Sequence, residues 1–287
     1  MDTSELLKKV RRIEIKTKGL SKHVFAGEYH SAFKGRGMTF NEVREYDFGD
    51  DIRNIDWNVT ARMGKPYIKI FEEERELTVI LLVDVSNSQN FGTRNRFKDS
   101  LITELSAVLS FSAIQNNDKV GVIFFSDKIE KFIPPKKGKK HILYIIRELL
   151  SFKAESKKTD LSVALKYLVN VIKKRSTVFL ISDFNDGDFS KALQTATHKH
   201  DVVAIKIFDE RESTMPDIGL IKFSDAETGE EIWVNTSNEL IRAKYEKLNL
   251  IKSEKVKEIF KKTGVDNTEI NTKEDYIKPL LRLFKNR

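Results

Sequence analysis

The sequence predicts an α/β fold, a mostly parallel sheet with helices on both faces and one antiparallel edge strand. Three observations carry this reading. The longest apolar run, Val79-Ile80-Leu81-Leu82-Val83, ends at Asp84 and suits a strand buried on both faces. After it, short apolar strand-like runs alternate with amphipathic segments of helical period. Only Ser126-Asp127-Lys128 separates two of the strands, so that pair must form an antiparallel hairpin.

Taken in order, residues 1–74 are dense in charge, glycine and aromatics. They show no long periodic element beyond a short opening helix and are expected to pack on the core as an N-terminal extension. Residues 75–287 form the main domain. Leu77 to Val83 reads as its first strand, Arg96 to Gln115 as a helix apolar on most sides, and Lys119 to Phe125 and Ile129 to Ile133 as the hairpin. Helical spacing returns over Lys140–Phe152 and Asp160–Lys173, where Leu161, Ala164, Leu165, Leu168 and Ile172 share one face. Val178 to Ser182 is a strand, Phe189 to Thr197 a helix and Val202 to Phe208 a strand. Ile218–Phe223 and Glu231–Asn235 flank Thr228-Gly229 as a β-hairpin insertion at about 217–236. A long helix from Asn238 to Lys262, a short strand at Thr268–Ile270 and a helix to Phe284 complete the chain.

Composition narrows the function classes. The 287 residues include no cysteine, which excludes disulfides, thiolate zinc sites and thiol nucleophiles. Lys and Arg total 51 against 43 Asp and Glu, a formal charge of +8 that is compatible with an anionic partner. The N-terminus has no apolar stretch of signal-peptide length, and no run is long enough to span a bilayer. A cytoplasmic protein is expected, with charge compatible with peripheral attachment to an anionic membrane.

In parallel sheets, ligands bind at the carboxyl ends of strands where the strand order reverses. The loop after the first strand reads Asp84-Val85-Ser86-Asn87-Ser88, a D-x-S-x-S pattern that projects one carboxylate and two hydroxyls from a tight turn. A second carboxylate, Asp183, ends the strand Val178–Ser182, and Thr159 precedes a helix whose start falls at the same edge. Small oxygen ligands of this kind suit Mg²⁺ (or Mn²⁺), at about 2.0–2.1 Å for magnesium. The candidate metal ligands are therefore Asp84, Ser86, Ser88, Thr159 and Asp183, with one position left for water or for an Asp or Glu of a partner. Each side chain also suits a structural role alone. An Asp at a strand end often caps a helix, and Thr159 stands where a cap could fall.

These five residues resemble the metal-ion-dependent adhesion site (MIDAS) of von Willebrand factor A-type domains. A resemblance covering nearly the whole chain is to the domain of unknown function 58 (DUF58) family. It rests on residues 27–76, GEYHSAFKGRGMTFNEVREYDFGDDIRNIDWNVTARMGKPYIKIFEEERE, with support from PPKKGKKH at 134–141 and DAETGEEIWVNT at 225–236. The resemblance implies a von Willebrand factor A-like fold in a bacterial or archaeal protein. It also implies a partnership with MoxR-type AAA+ ATPases. Members often carry membrane-spanning segments near the N-terminus, which this chain lacks.

Other motifs carry less. Gly35-Arg36-Gly37 is not part of a G-x-x-x-x-G-K-[ST] loop, so ATP hydrolysis by this chain is not expected. Asp47, Asp50, Asp51 and Asp56 cluster with Arg44 and Arg53, a charge-paired turn in which Phe48 and Trp57 are expected to anchor the segment on the core. Arg44, Asp47, Asp50, Asp51, Arg53, Asp56 and Trp57 are held as a candidate partner-docking surface. The lysines at 136, 137, 139 and 140 lack interleaved aromatics and fall at the edge away from the metal, which argues against nucleic acid. His198 and His200 are expected to be solvent-exposed.

The function expected is a non-enzymatic, metal-dependent protein–protein interaction module, adaptor or partner of a MoxR-type AAA+ ATPase or of its client. One alternative is a metal-assisted hydrolase using the same edge, but a nucleophilic Ser86 or Ser88 needs a base and neither His nor Lys falls in the three loops. A second alternative is a basic nucleic-acid binder, for which affinity would fall steeply with salt.

Overall fold

The computed structural model describes residues 39–72, 77–86, 98–156, 158–224 and 231–287. The opening helix expected near the N-terminus, Gly35-Arg36-Gly37 and the Thr228-Gly229 turn lie outside the described residues. Two compact units are present, with Leu77 the last residue of one and Thr78–Arg287 in the other.

The larger unit is built on a six-stranded sheet. Its strands are β3 (Thr78–Asp84), β4 (Lys119–Phe125), β5 (Ile129–Lys136), β6 (Thr177–Ser182), β7 (Asp201–Phe208) and β10 (Asp266–Asn271). They lie in the order β10-β7-β6-β3-β4-β5. Every pairing is parallel except β4 with β5, which forms the antiparallel edge. This is the mostly parallel α/β sheet with one antiparallel edge strand expected from the sequence.

Burial explains which strands are central. Val79 to Val83 and Val178 to Ile181 are each fully buried, as an apolar run flanked by strands on both sides and covered on both faces must be. The chain leaves β3 toward β4 on one side and later fills β6 and β7 on the other. The strand order therefore reverses at β3, and the loops after β3 and β6 are neighbours.

Helices α2 (Lys98–Gln115), α3 (Lys139–Ser151), α4 (Leu161–Val171), α5 (Ser190–Lys199), α7 (Glu239–Thr263) and α8 (Ile277–Lys285) accompany these strands. Thirteen residues of the 18 in α2 are buried, so it is apolar around most of its circumference rather than amphipathic. On α4 the face anticipated from spacing is the one that packs: Leu161, Ala164, Leu165 and Leu168 are all buried. Each fully buried leucine contributes about 1.5–3 kcal/mol. Long helix α7 buries only Val256, Ile259 and Phe260, near its C-terminal end, and stops at Gly264, whose φ of 65° is the left-handed C-cap geometry.

Two sheet details differ from expectation. Strand β5 continues past Ile133 through Pro134 and Pro135 to Lys136. Proline lacks a ladder donor, but on an edge strand one side of the ladder needs none. Opposite it, the register shifts between Val120 and Val122, leaving Gly121, which pairs with Ile80 of β3, without a register partner on β5. A Cβ on Gly121 would stand 2.9 Å from Pro135 N and 3.0 Å from the Ile133 carbonyl oxygen, so only glycine lets the two backbones approach.

His200 also departs from expectation. It is 1% exposed, and burial, with nearby Lys199 and Arg175, lowers its pKa to about 4. His198 is exposed, as anticipated. The β8 (Leu220–Ser224) and β9 (Glu231–Asn235) strands form an antiparallel hairpin with Ile232 and Trp233 exposed. Among the described residues, no helix is long and apolar enough to cross a membrane.

The smaller unit contains regular structure that the charge-dense sequence hid. Strands β1 (Thr39–Glu45) and β2 (Tyr67–Glu72) pair antiparallel, and between them lie a 3-10 turn (Ile52–Asn54) and helix α1 (Trp57–Met63). Its acidic residues serve local geometry. Asp51 caps the 3-10 turn, and Asp56 caps α1 by accepting from the amides of Asn58 and Val59. Asp50 receives both guanidinium nitrogens of Arg44, at 2.9 and 2.7 Å. The amide of Phe48 donates to Asp47 Oδ1 at 2.9 Å, and Arg53 stands 3.8 Å from Asp51. Phe48 is fully exposed and Trp57 is 68% exposed.

Candidate metal centre

The site begins with strand register. Val83 of β3 pairs with Ile181 of β6, so Asp84 and Ser182, each one residue further on, emerge side by side. Asp84 is 1% exposed and Ser182 is fully buried. Ser182 donates its hydroxyl to Asp84 Oδ2 at 2.7 Å and accepts from the Phe184 amide at 3.0 Å. The Ser86 amide donates to Asp84 Oδ1 at 2.9 Å, closing a tight turn in which Ser86 is itself buried.

Burial dominates the electrostatics of Asp84 and raises its pKa to about 6. The charge of Asp183 raises it further, while the hydrogen bonds from Ser182 and Ser86 oppose the rise.

Asp183 opens the loop after β6. Its Oδ1 accepts from the Asn185 amide at 3.1 Å and its Oδ2 from Lys98 Nζ at 3.3 Å. Phe184 is held at φ 56°, a left-handed conformation unfavourable for a bulky residue. Its ring is fixed by Phe260, edge-on at 5.0 Å, and by Phe189 at 5.8 Å. Packing of the aromatic ring thus stabilises the turn that presents Asp183.

The third oxygen source arrives on a tethered loop. The Asp160 amide donates to the Ser126 carbonyl at 3.0 Å, beyond the end of β4, and the Leu161 amide donates to Asp186 Oδ2 at 2.7 Å. These bonds bring the start of α4, and Thr159 before it, to the edge that carries Asp84 and Asp183. Asp160, not Thr159, caps α4 by accepting from the Val163 amide at 3.0 Å. Thr159 is half-buried, and among the described residues no hydrogen bond joins its hydroxyl to either carboxylate. Ser88 lies outside the described residues.

Three participants were not anticipated. Ser182 was read only as part of a strand. Lys98, fully buried at the first turn of α2, pairs with Asp183 and also with Glu212 Oε1 at 2.5 Å, so a basic group does attend the site. Its signal was present, since Lys98 precedes Leu101, Ile102 and Leu105 at i+3, i+4 and i+7 on the buried face. Glu212 lies on the short helix α6 (Glu210–Ser213), and burial raises its pKa while Lys98 lowers it.

Among the described residues, no three His, Cys, Asp or Glu side chains are grouped in a way that could hold a metal ion. A cation here therefore needs hydroxyl ligands beside Asp84 and Asp183, and the donor set fits a hard ion with oxygen preference. Charge also fits. Asp84, Asp183 and Glu212 against Lys98 leave a formal balance of −2 when all are ionised, which one divalent cation neutralises.

A family model described as "Protein of unknown function DUF58" matches residues 42–255. The chain belongs to the DUF58 family. The match spans Asp84, Ser86, Lys98, Thr159, Asp183 and Glu212, so every part of this centre lies in the DUF58 region. The chain is 29% identical over 232 residues to uncharacterized proteins of Mycobacterium bovis and Mycobacterium tuberculosis, covering 80% of this chain and 73% of each relative. Among solved structures it is similar to the conserved hypothetical protein BatB from Bacteroides thetaiotaomicron, with TM-score 0.49 and 16% identity, over 73% of this chain and 98% of that one.

Proposed function

We propose that this chain is a metal-dependent protein-interaction module. Asp84, Ser86, Ser88, Thr159 and Asp183 would supply oxygens to Mg²⁺ or Mn²⁺, the serines and threonine directly and the aspartates directly or through water. The remaining position would accept a carboxylate from a partner. The observation that carries the reading is geometric: Asp84 is buried to 1% exposure at the topological switch point, held by Ser182 and the Ser86 amide, with Asp183 opening the neighbouring loop.

The chain's own residues prepare that position. Ser182 and the Ser86 amide fix both oxygens of Asp84, and the Asn185 amide fixes Oδ1 of Asp183. Fixed ligands lose little entropy on binding, as in other preorganised sites. A bound divalent ion would supply a hard electrophilic point to which an acidic side chain can bind. The partner we favour is a MoxR-type AAA+ ATPase or its client, as the family resemblance implies.

The test is co-purification of the MoxR-type ATPase of the same organism with the tagged chain. Retention with Mg²⁺, lost with chelator and in Asp84→Ala, supports the reading. Retention indifferent to both treatments contradicts it. The hydrolase alternative gains nothing from Lys98, whose ammonium is engaged by Asp183 and Glu212.

A further inference from the structure

We infer that Lys98 is a built-in competitor of the metal, a tethered cation that sets the affinity of the site through Asp183. This rests on the metal reading above and deepens it.

Lys98 stands in an expensive place for a lysine. It is fully buried, where its ammonium is removed from water. Two carboxylates offset that cost, Asp183 at 3.3 Å and Glu212 at 2.5 Å. Asp183 is shared between Lys98 and the ion position, so whatever holds the ammonium on Asp183 weakens the hold of Asp183 on a metal.

Glu212 is built to draw the ammonium the other way. Its Oε2 accepts from the Asp209 amide at 3.3 Å, and Asp209 is fully buried and bonded to Thr272 at 2.6 Å. The Glu212 backbone carbonyl accepts from Tyr245 and Asn249 of α7, both at 2.9 Å. Glu212 is thus held by the cap of its own helix and by α7, and it leaves Asp183 with only part of the lysine's charge. Lys98 acts as a positioning residue, and the two opposed pairs predict opposite effects of removing each.

The experiment is Mn²⁺ titration of the purified full chain by calorimetry, with melting temperature read in parallel. Lys98→Met should bind Mn²⁺ at least tenfold more tightly than wild type. Glu212→Gln, which surrenders the lysine to Asp183, should bind at least threefold more weakly. Binding in Lys98→Met alone, with none in wild type, also supports competition. Equal affinity of wild type and Lys98→Met, with Asp84→Ala inactive, overturns the inference and leaves the metal site standing. If Lys98→Met does not fold, unchanged affinity in Glu212→Gln overturns it instead. No binding in any variant overturns the metal reading and this inference together.

Discussion

Ser182 and Asp84, 98 positions apart in the chain, are joined by a 2.7 Å hydrogen bond from the serine hydroxyl to Asp84 Oδ2. The bond exists because β3 and β6 are parallel neighbours in register, and it bridges the two loops that carry the candidate carboxylates. The same hydroxyl accepts from the Phe184 amide, so one buried atom orients Asp84 and shapes the Asp183 turn.

Removing that hydroxyl should therefore be costly. Ser182→Ala leaves a carboxylate oxygen and an amide in the interior without this partner, a loss of about 1–3 kcal/mol. Urea denaturation should show the midpoint falling with an unchanged slope. A midpoint equal to wild type would mean that water or another group replaces the bond.

The raised pKa of Asp84 gives the metal-free protein an unusual pH profile. The folded carboxyl holds its proton to about pH 6, while the unfolded one releases it near 3.8. The folded state thus binds more protons between these values, and this group's contribution to stability falls as pH rises from about 4 through 6, by about 3 kcal/mol in all. In chelator at pH 7, Asp84→Asn should melt no lower than wild type, and wild type should lose its melting-temperature advantage at pH 5 relative to pH 7 once Asp84 is replaced. An unaltered pH profile in Asp84→Asn would contradict this.

Gly121 predicts a failure of packing rather than of chemistry. Gly121→Ala would drive a methyl to within 2.9 Å of Pro135 N and 3.1 Å of Ile80 Cδ1. Displacement of the β5 backbone should cost about 1–3 kcal/mol in thermal or chemical denaturation. A melting temperature within a degree of wild type would show that the edge strand yields freely.

In the smaller unit, capping and exposure separate two neighbours. Asp56→Ala removes the cap of α1 and should cost about 1 kcal/mol of that unit's stability. Trp57→Ala, at a ring 68% exposed, should change stability by less than about 0.5 kcal/mol. If Trp57 serves docking, its loss should instead appear in partner retention. Equal destabilisation by both substitutions would contradict the assignment.

The fold was legible wherever apolar residues repeat with a fixed period. The β3 run, the α4 face and the three-residue link between β4 and β5 each admit one reading, and each is present. The β1–β2 hairpin was hidden because its strands are rich in charge and stabilised by long-range pairing, which leaves little periodic trace. His200 was misread because a polar residue between a helix and a strand is ordinarily exposed, whereas here the end of α5 turns it inward. Of the candidate site, the positions of Asp84 and Asp183 at the ends of β3 and β6 were readable from topology. The spacing marked Lys98 only as part of a buried helix face, and its pairing with Asp183 and Glu212 was not legible, because that contact joins residues far apart in sequence. Nor could sequence distinguish Thr159 from Asp160 as the helix cap, since both residue types suit it.

The most direct test of the central claim is calorimetric titration of Mn²⁺ into wild type and Asp84→Ala at pH 7.5. Saturable binding of one ion per chain, lost in the variant, is the predicted result. Heats that are absent, or identical in the two proteins, would contradict it.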